Sequence, residues 1–273
     1  VADSREGGMI PNILSIAGSD PSGGAGIQAD IKAISAGGGY AMAAITALTA
    51  QNTRGVAGVT LVEPDMVRAQ IAAIRADIRI DAVKIGMLGS AEIVAAVAEA
   101  LAGLDAALVL DPVMVAKGGD RLLAPDAVAA LAGRLLPQAT VITPNLPEAA
   151  DLLGEDVAGD LADMERQAGA LRAQGAGAVL LKGGHLAGEA SPDLLVSDAG
   201  TLRLDGPRHA TRNTHGTGCT LSAALATALG TGLSLENAAR RAKAYIAAAI
   251  AQADVLDVGS GHGPVHHFHA APR

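Results

Sequence analysis

Short runs of β-branched and aliphatic residues alternate along the chain with longer Ala-rich stretches. The short runs are typical of buried strands, and the longer stretches are typical of helices with one apolar face. Each interval between runs is long enough for a crossover helix, so the pattern predicts a mostly parallel sheet. The predicted strands are Ile13–Ala17, Ala44–Thr49, Ala82–Ile85, Ala107–Leu110, Thr140–Thr143 and Ala178–Lys182. The predicted helices are Ile27–Ser35, Pro64–Ile74, Ala91–Ala102, Pro125–Leu135, Asp163–Gln174, Leu221–Leu229 and Glu236–Ala253.

One segment departs from this alternation. Within Leu194–Leu204, two short apolar runs flank a turn at Asp198–Gly200, which predicts an antiparallel hairpin at the edge of the sheet. No linker or repeat interrupts the chain, so we expect a single α/β domain over residues 12–258. The ends, residues 1–11 and 259–273, are expected to be flexible. The C-terminal end holds four of the seven histidines, without the ordered spacing of a metal site.

The composition narrows the classes of function. Half of the residues are hydrophobic but only 1% are aromatic, which suits aliphatic helices packed on a buried sheet. The net charge of −8 and the lack of a basic run argue against nucleic-acid binding. No apolar run reaches the ~18 residues of a membrane span, and no secretory signal is visible. A single cysteine excludes an internal disulfide and fits a cytoplasmic location.

Polar and glycine residues follow the predicted strands where each strand ends. In an open α/β sheet, ligands bind beyond the carboxyl ends of the strands. We therefore expect one composite site on this rim of the sheet. The segments that follow the six strands in order are Gly18–Asp20, Gln51–Thr53, Gly86–Met87, Asp111–Pro112, Pro144–Asn145 and Gly183–Gly184.

The turn Asn213–Thr220 leads directly into the predicted helix Leu221–Leu229. Its glycines, Gly216 and Gly218, flank Thr217 and leave several backbone N–H groups unpaired at the positive end of a helix dipole. Such a turn predicts an anion site, and we call it the anion turn. Cys219, the only cysteine, lies in the same turn, and the dipole is expected to lower its pKa. An anion site beside a proton acceptor indicates phosphoryl transfer.

A second glycine-rich loop, Gly18–Gly26, joins a strand to a helix. It matches neither dinucleotide-binding nor P-loop spacing, and its glycines allow the backbone to approach a small ligand closely. Asp30, on the following helix, either faces the site or is solvated. The amide of Gln51 suits a heterocycle that carries an amino group beside a ring nitrogen. Met87 packs either on a flat ring or in the core.

Three oxygen-bearing side chains and two lysines complete the candidate site. Asn145 and Glu148 are spaced either to hold Mg²⁺ through water or to cap a helix. Asp111 ends a buried strand and needs a partner, which metal-bound water or a lysine would supply. Lys117 and Lys182 each precede two glycines and are candidates for neutralising a polyphosphate. The Gly-rich stretch 116–120 is a candidate lid.

Several motifs taken together resemble one family. The ordered set looks like the hydroxymethylpyrimidine/phosphomethylpyrimidine kinases of thiamine biosynthesis, a branch of the ribokinase-like superfamily. The similarity runs from about residue 12 to residue 253. The motifs are Ala17–Asp30, Asp111–Met114, Thr143–Glu148, Leu181–Gly184 and His215–Cys219.

This resemblance implies a three-layer α/β/α fold with an antiparallel edge hairpin, a homodimer, and ATP with Mg²⁺ as donor. It implies that 4-amino-5-hydroxymethyl-2-methylpyrimidine and then its monophosphate are the acceptors. The implied acceptor contacts are Gly18, Asp30, Gln51 and Met87. The implied metal residues are Asn145 and Glu148, the implied nucleotide-side group is Lys182, and the implied catalytic turn is Gly216 to Cys219.

The resemblance leaves two alternatives. Pyridoxal kinase has the same fold and donor but a different ring. A non-catalytic pyrimidine or nucleotide sensor would not need both donor and acceptor machinery. In sugar-kinase relatives, an aspartate base stands where this chain has Cys219, so the route of the hydroxyl proton is left open.

Overall fold

A computed structural model describes residues 9–114 and 123–271. Within these ranges, one eight-stranded sheet has the order β10-β9-β8-β7-β6-β5-β1-β2. A separate two-stranded sheet pairs β3 with β4. The strands are β1 (Asn12–Ala17), β2 (Tyr40–Ile45), β3 (Ala47–Asn52), β4 (Gly55–Leu61), β5 (Ala82–Ile85), β6 (Ala107–Leu110), β7 (Val141–Ile142), β8 (Val179–Lys182), β9 (Asp193–Ser197) and β10 (Gly200–Leu204).

Helices cover both faces of the large sheet, which makes three layers. The α-helices are α1 (Gly26–Ala36), α2 (Pro64–Asp77), α3 (Ala91–Leu101), α4 (Pro125–Ala130), α5 (Leu146–Leu153), α6 (Leu161–Ala173), α7 (Thr217–Gly230) and α8 (Leu235–Ala251). The starts of several helices are fixed by the sequence. Ser90, Asp160 and Ser234 cap α3, α6 and α8 by accepting hydrogen bonds from first-turn amides.

Alternation along the strands divides the core into two layers. Val83 and Ile85 of β5 pack in the layer with α2 to α6, while Ala82 belongs to the layer with α1, α7 and α8. Both layers are aliphatic, and each fully buried Ile or Val contributes roughly 1.5–3 kcal/mol. Strands β1, β5, β6, β7 and β8 are mutually parallel, and β9 and β10 form the antiparallel edge. The predicted three-layer architecture and edge hairpin are confirmed.

One predicted strand is wrong in its pairing. The run Ala44–Thr49 is split between β2 and β3, which belong to different sheets. Thr46 interrupts it: its amide donates to the carbonyl of Ala17 and its hydroxyl to the carbonyl of Met87. These bonds turn the chain out of the large sheet, so Gln51 lies on β3 and does not follow a strand of the large sheet.

Two helical segments differ from the prediction. The stretch predicted as Pro125–Leu135 is α-helical only to Ala130, continues as a π-helical turn, and ends in a 3₁₀ turn that contains Pro137. Helix α5 was anticipated only as a helix start near Asn145. It begins with an Asn cap and a proline in the first turn, and it ends at Gly154 in the left-handed conformation.

The C-terminal segment from Gly259 to Ala271 packs on the domain, unlike the flexible end expected from its composition. Val265 is fully buried, and the amide of His262 donates to the carbonyl of Thr53. His267 is buried, with Nε2 3.0 Å from the hydroxyl of Thr220. A Gly/Pro-rich composition did not reveal these contacts, because they are made with residues distant in sequence.

Candidate active site

The residues predicted to follow the strands gather mostly on one rim of the large sheet. Gly18 follows β1, Asp111 follows β6, and Lys182 ends β8. Helix α7 packs against β1, β5 and β6, and its first turn reaches this rim because a Cβ on Gly218 would lie 3.1 Å from the Lys182 ammonium nitrogen. The composite site is therefore assembled between the rim and the start of one helix.

The anion turn has the geometry that its glycines predicted. Gly216 adopts a left-handed conformation, φ 75°, directly before helix α7. The Thr217 hydroxyl donates to the carbonyl of Thr214 and closes the turn. Within the described residues, no acceptor is hydrogen-bonded to the amides of Gly218 and Cys219. Two backbone donors at the positive end of a 14-residue helix are therefore available to an anion.

Close backbone contact holds the anion turn against the loop Gly18–Gly26. A Cβ on Gly216 would collide with the carbonyl oxygen of Gly24, and one on Gly24 would collide with the His215 ring. Position 216 thus requires glycine for its conformation and for the space. The two glycine-rich segments form facing walls of one site.

Asp20 and His215 connect these walls, and the sequence analysis missed the pair. The Asp20 carboxylate lies 2.8 Å from His215 Nε2 and also accepts hydrogen bonds from Ser22 and the amide of Ala25. Burial works against ionisation, but the contacts with His215 and Ser22 outweigh it and lower the pKa of Asp20 to about 2. The sequence offered two signals for this pair: an aspartate within a Gly/Ser loop and a histidine within a Gly/Thr turn.

The predicted acceptor contacts divide between the surroundings of the glycine-rich loop and the layer beneath it. The Gly18 amide donates to the Met87 carbonyl, and a Cβ on Gly18 would lie 2.8 Å from the Met87 methyl carbon. Gln51 Nε2 lies 3.4 Å from His215 Nε2, so β3 brings this amide to the site from the small sheet. Asp30 is neither solvated nor at the surface, because it is fully buried below the loop.

Cys219 does not have the lowered pKa expected from the helix dipole. Although the residue reaches the surface in part, its thiol is surrounded by protein, and burial raises its pKa to about 11. The charge of Lys84 and the amide of Gly26 act in the opposite direction without reversing this effect. Desolvation of a thiolate outweighs the attraction of a dipole here, and the prediction is wrong in sign.

Lys182 joins the carboxylates of the rim. Its Nζ lies 3.0 Å from Oδ1 of Asp111 and 3.9 Å from Oε2 of Glu148. Thr143 also donates to Asp111 Oδ1. Burial would raise the pKa of Asp111, but the ammonium groups of Lys182 and Lys84 hold it below its usual value. Asp111 thereby has the cationic partner that a buried strand end requires.

Asn145 and Glu148 form a helix cap. The Asn145 side chain accepts from the Glu148 amide over 2.9 Å, and Glu148 Oε2 accepts from the Asn145 amide over 2.8 Å. This reciprocal pair is a capping box. No cluster of three or more His, Cys, Asp or Glu side chains arranged for a metal is found in the ranges 9–114 and 123–271. Asn145 and Glu148 therefore cap the helix, and a role for them in binding Mg²⁺ is supported by the family resemblance.

Among Lys182, Asp111 and Glu148, there are two carboxylates and one ammonium group, so ionised Glu148 leaves an excess negative charge. Burial raises its pKa to about 7 despite the attraction of Lys182, and the nearby charge of Asp111 adds to the increase. Asp111 already offsets the charge of Lys182, so a further cation beside Glu148 would be favourable. Lys117 and the candidate lid 116–120 lie outside the described residues.

Comparison with known proteins gives consistent results. A family model described as phosphomethylpyrimidine kinase matches residues 20–266. The hydroxymethylpyrimidine/phosphomethylpyrimidine kinase of Escherichia coli K12 is 56% identical over 260 residues, which are 95% of this chain and 98% of that protein.

Two solved structures show the same fold. The ADP complex of Bacillus subtilis pyridoxal kinase aligns with a TM-score of 0.89 at 37% identity, covering 96% of this chain and 99% of the other. Phosphomethylpyrimidine kinase from Clostridium difficile aligns with a TM-score of 0.77 at 42% identity, covering 86% and 97% of the two chains.

The fold and the paired glycine-rich walls define a small-molecule kinase of the ribokinase-like class. Within that class, the match over residues 20–266 and the identity to the bacterial enzymes determine the family. The chain belongs to the hydroxymethylpyrimidine/phosphomethylpyrimidine kinases of thiamine biosynthesis. No helix in the described parts of the chain combines the length and apolar character needed to cross a membrane.

Proposed function

We propose that the anion turn and Lys182 hold the γ-phosphoryl group of ATP while the 5-hydroxymethyl oxygen of 4-amino-5-hydroxymethyl-2-methylpyrimidine attacks it. The monophosphate so formed is the acceptor in a second transfer. The observation that carries this proposal is that the amides of Gly218 and Cys219, next to the Lys182 ammonium group, have no acceptor among residues 9–114 and 123–271. Two donors and a cation directed at one point suit a migrating phosphoryl group.

Positioning and charge neutralisation supply most of the rate acceleration. Phosphoryl transfer passes through a loose transition state whose charge spreads over the equatorial oxygens. The amides of Gly218 and Cys219 are fixed by helix α7 and need no reorganisation during the reaction. Lys182 is held in place by Asp111 and stays protonated, because the neighbouring carboxylates raise its pKa more than burial lowers it.

Cys219 acts as a thiol at neutral pH. With a pKa of about 11, only a small fraction is thiolate. In a loose transition state the attacking hydroxyl keeps its proton until late, so the proton passes to an oxygen of the transferred phosphoryl group and the neutral thiol only orients the hydroxyl. In the second transfer the acceptor is already an ionised phosphate and has no such proton to lose. We therefore assign Cys219 an effect on the first transfer and little effect on the second.

Magnesium fits the site when it is held mainly through water. Glu148, Asn145 and Asp111 offer the oxygen ligands that Mg²⁺ prefers, but their capping and ion-pair bonds leave no preformed cage. The raised pKa of Glu148 marks where positive charge is favourable. When bound, the ion supplies charge neutralisation for the phosphates of ATP.

The acceptor lies between the glycine-rich loop and the small sheet. The Met87 methyl carbon fills the space next to Gly18, and its flexible thioether can pack on a ring. Gln51 offers a donor and an acceptor to an aminopyrimidine edge. Pyridoxal is the second candidate acceptor, because pyridoxal kinases are close structural neighbours.

One assay tests this assignment. ATP-dependent ADP release is measured with the pyrimidine alcohol, its monophosphate and pyridoxal, for the wild-type protein and for Gln51→Ala. Turnover of both pyrimidines, with a larger loss for the alcohol than for pyridoxal in Gln51→Ala, supports the proposal. Turnover of pyridoxal alone contradicts it, and binding without ADP release indicates the sensor alternative.

Two further expectations remain part of this proposal. The first is a cytoplasmic location. The second is a homodimer that buries the outer surface of the small sheet. Val59 and Leu61 of β4 lie on one face of this sheet and are 45% and 41% exposed. Exposed aliphatic residues on a two-stranded sheet are typical of an interaction surface, and a second copy of the chain is the occupant that we propose.

A further inference from the structure

A buried ion pair lies beneath the acceptor site. Lys84 of β5 and Asp30 of α1 have fully buried side chains, with 2.8 Å between Nζ and Oδ2. The neighbouring side chains of this layer are aliphatic, including Ile13 and Ala82. Burying two charges costs several kcal/mol per ion before their attraction is counted, and an apolar pair of similar size is often at least as stable. Stability alone therefore does not account for this pair.

The two oxygens of Asp30 have different surroundings. Oδ2 accepts hydrogen bonds from Lys84 Nζ and from the Ser15 hydroxyl, over 2.8 and 2.6 Å. Oδ1 is buried and has no hydrogen-bond partner within the described residues. A buried carboxylate oxygen is normally paired. The carboxylate is thus held firmly by one oxygen while the other is left for a further donor.

The pair is close to the groups that line the site. A Cβ on Gly86 would lie 2.6 Å from Lys84 Nζ, so the ammonium group is directly under the segment that leads into Met87. Among charged groups, Lys84 and Asp30 have the largest effects on the pKa of the Cys219 thiol. The ion pair therefore lies under the place where Met87 and the anion turn meet.

We propose that Lys84 is a positioning residue for the acceptor: it fixes the Asp30 carboxylate through Oδ2, so that Oδ1 accepts a hydrogen bond from the amino or hydroxymethyl group of the bound pyrimidine. This inference rests on the proposed function and adds a residue that touches no substrate. Burial raises the pKa of Asp30 even though Lys84 acts against it. Without the ammonium group the protonated carboxyl would be favoured further, and Oδ1 would no longer be a reliable acceptor. The other titratable groups facing this pair are Asp111 and Cys219.

The test compares acceptor binding in charge-removing variants. Lys84→Met keeps the side-chain length without the charge, and Asp30→Asn keeps the shape of the carboxyl group. In titration calorimetry without nucleotide, each is expected to weaken binding of the pyrimidine alcohol by ~10- to 100-fold, the worth of one hydrogen bond to a charged group. Lys84→Met is also expected to move the ionisation of Asp30 to higher pH in the pH profile of acceptor binding.

Lys243→Met is the matched control. Lys243 forms a second buried pair, 2.7 Å from Asp193, and its removal leaves a buried carboxylate on β9 at the edge of the sheet. It is expected to lower stability without changing acceptor affinity or its pH profile. Equal weakening in Lys243→Met and Lys84→Met would overturn the inference, because both effects would then reflect stability.

A double variant keeps the test decisive if Lys84→Met does not fold. Lys84→Met/Asp30→Asn leaves no unpaired charge, and it is expected to fold and to bind the alcohol as weakly as Asp30→Asn. Wild-type affinity in the double variant would contradict the inference. Absence of wild-type turnover with both pyrimidines would contradict the proposed function instead, so the two failures can be distinguished.

Discussion

The ammonium nitrogen of Lys182 lies 3.0 Å from Oδ1 of Asp111, close to the start of helix α7. The pair connects the end of β8 to the residue that follows β6. It places a positive charge beside the unbonded amides of the anion turn, and it prevents that charge from being left unpaired before a phosphate binds.

Replacement of this lysine tests the anion site. Lys182→Met is expected to lower kcat/KM for ATP by ~10²–10³-fold, comparable with the loss of one preorganised donor to a transition-state anion. Steady-state kinetics with the pyrimidine alcohol measures the effect. Lys243→Met, whose side chain is 13% exposed compared with 15% for Lys182, is the control for loss of a buried pair. A similar loss in both variants would remove the special role of Lys182.

The second prediction concerns Glu148 and pH. Its pKa in the folded protein is about 7, above the ordinary 4.5, so the folded state binds more protons than the unfolded state between these values. Its favourable contribution is complete below pH 4.5 and is lost as pH rises through 7. We expect Glu148→Gln to gain roughly 1–3 kcal/mol relative to wild type between pH 5 and 8.

Urea unfolding at both pH values measures this difference, and glutamine can still form the helix cap. Addition of Mg²⁺ with a non-hydrolysable ATP analogue at pH 8 is expected to stabilise wild type more than Glu148→Gln. If the free energies of unfolding of the two proteins changed with pH in the same way, the pKa of Glu148 would not be raised in the folded protein.

The third prediction concerns the reactivity of Cys219. Because a pKa of about 11 leaves little thiolate, alkylation by iodoacetamide at pH 8 is expected to be ~100-fold slower than for an unperturbed thiol. The chain has one cysteine, so mass spectrometry reports this site alone. Alkylation as fast as that of a free thiol would mean that burial does not dominate.

Catalysis by Cys219 variants is a separate prediction. Cys219→Ala is expected to slow phosphorylation of the alcohol by roughly 2- to 10-fold, the worth of one orienting hydrogen bond, and that of the monophosphate by less. Cys219→Ser is expected to fall between alanine and wild type. Comparison of kcat for the two acceptors provides the measurement, and equal retention of both activities in alanine would leave catalysis to the backbone amides alone.

The fifth prediction uses a glycine pair. In Gly216→Ala, alanine would have to adopt a left-handed backbone conformation, and its Cβ would collide with the Gly24 carbonyl. We therefore expect loss of most activity and a lower melting temperature. Gly169, inside α6, has no atom near its missing Cβ. Gly169→Ala is expected to be active and more stable by ~0.5–1 kcal/mol. Calorimetry and kinetics on both variants make the comparison, and full activity in Gly216→Ala would exclude the close packing of the two walls.

The sequence by itself determined the architecture and the chemistry of the anion turn. Aliphatic runs of strand length separated by Ala-rich helical stretches have one stable arrangement, a buried parallel sheet between helices, because both faces must be covered. Gly216, Gly218 and the following helix are contiguous in the chain, so their donors were predictable from local geometry.

Only the tertiary structure decided the properties that depend on distant neighbours. The pKa of Cys219 depends on its burial, and the pairing of Lys84 with Asp30 joins residues 54 positions apart. Gln51 reaches the site from a separate small sheet. Electrostatic energies depend on solvent exclusion and on distances through space, and neither is encoded in the spacing of residues along the chain.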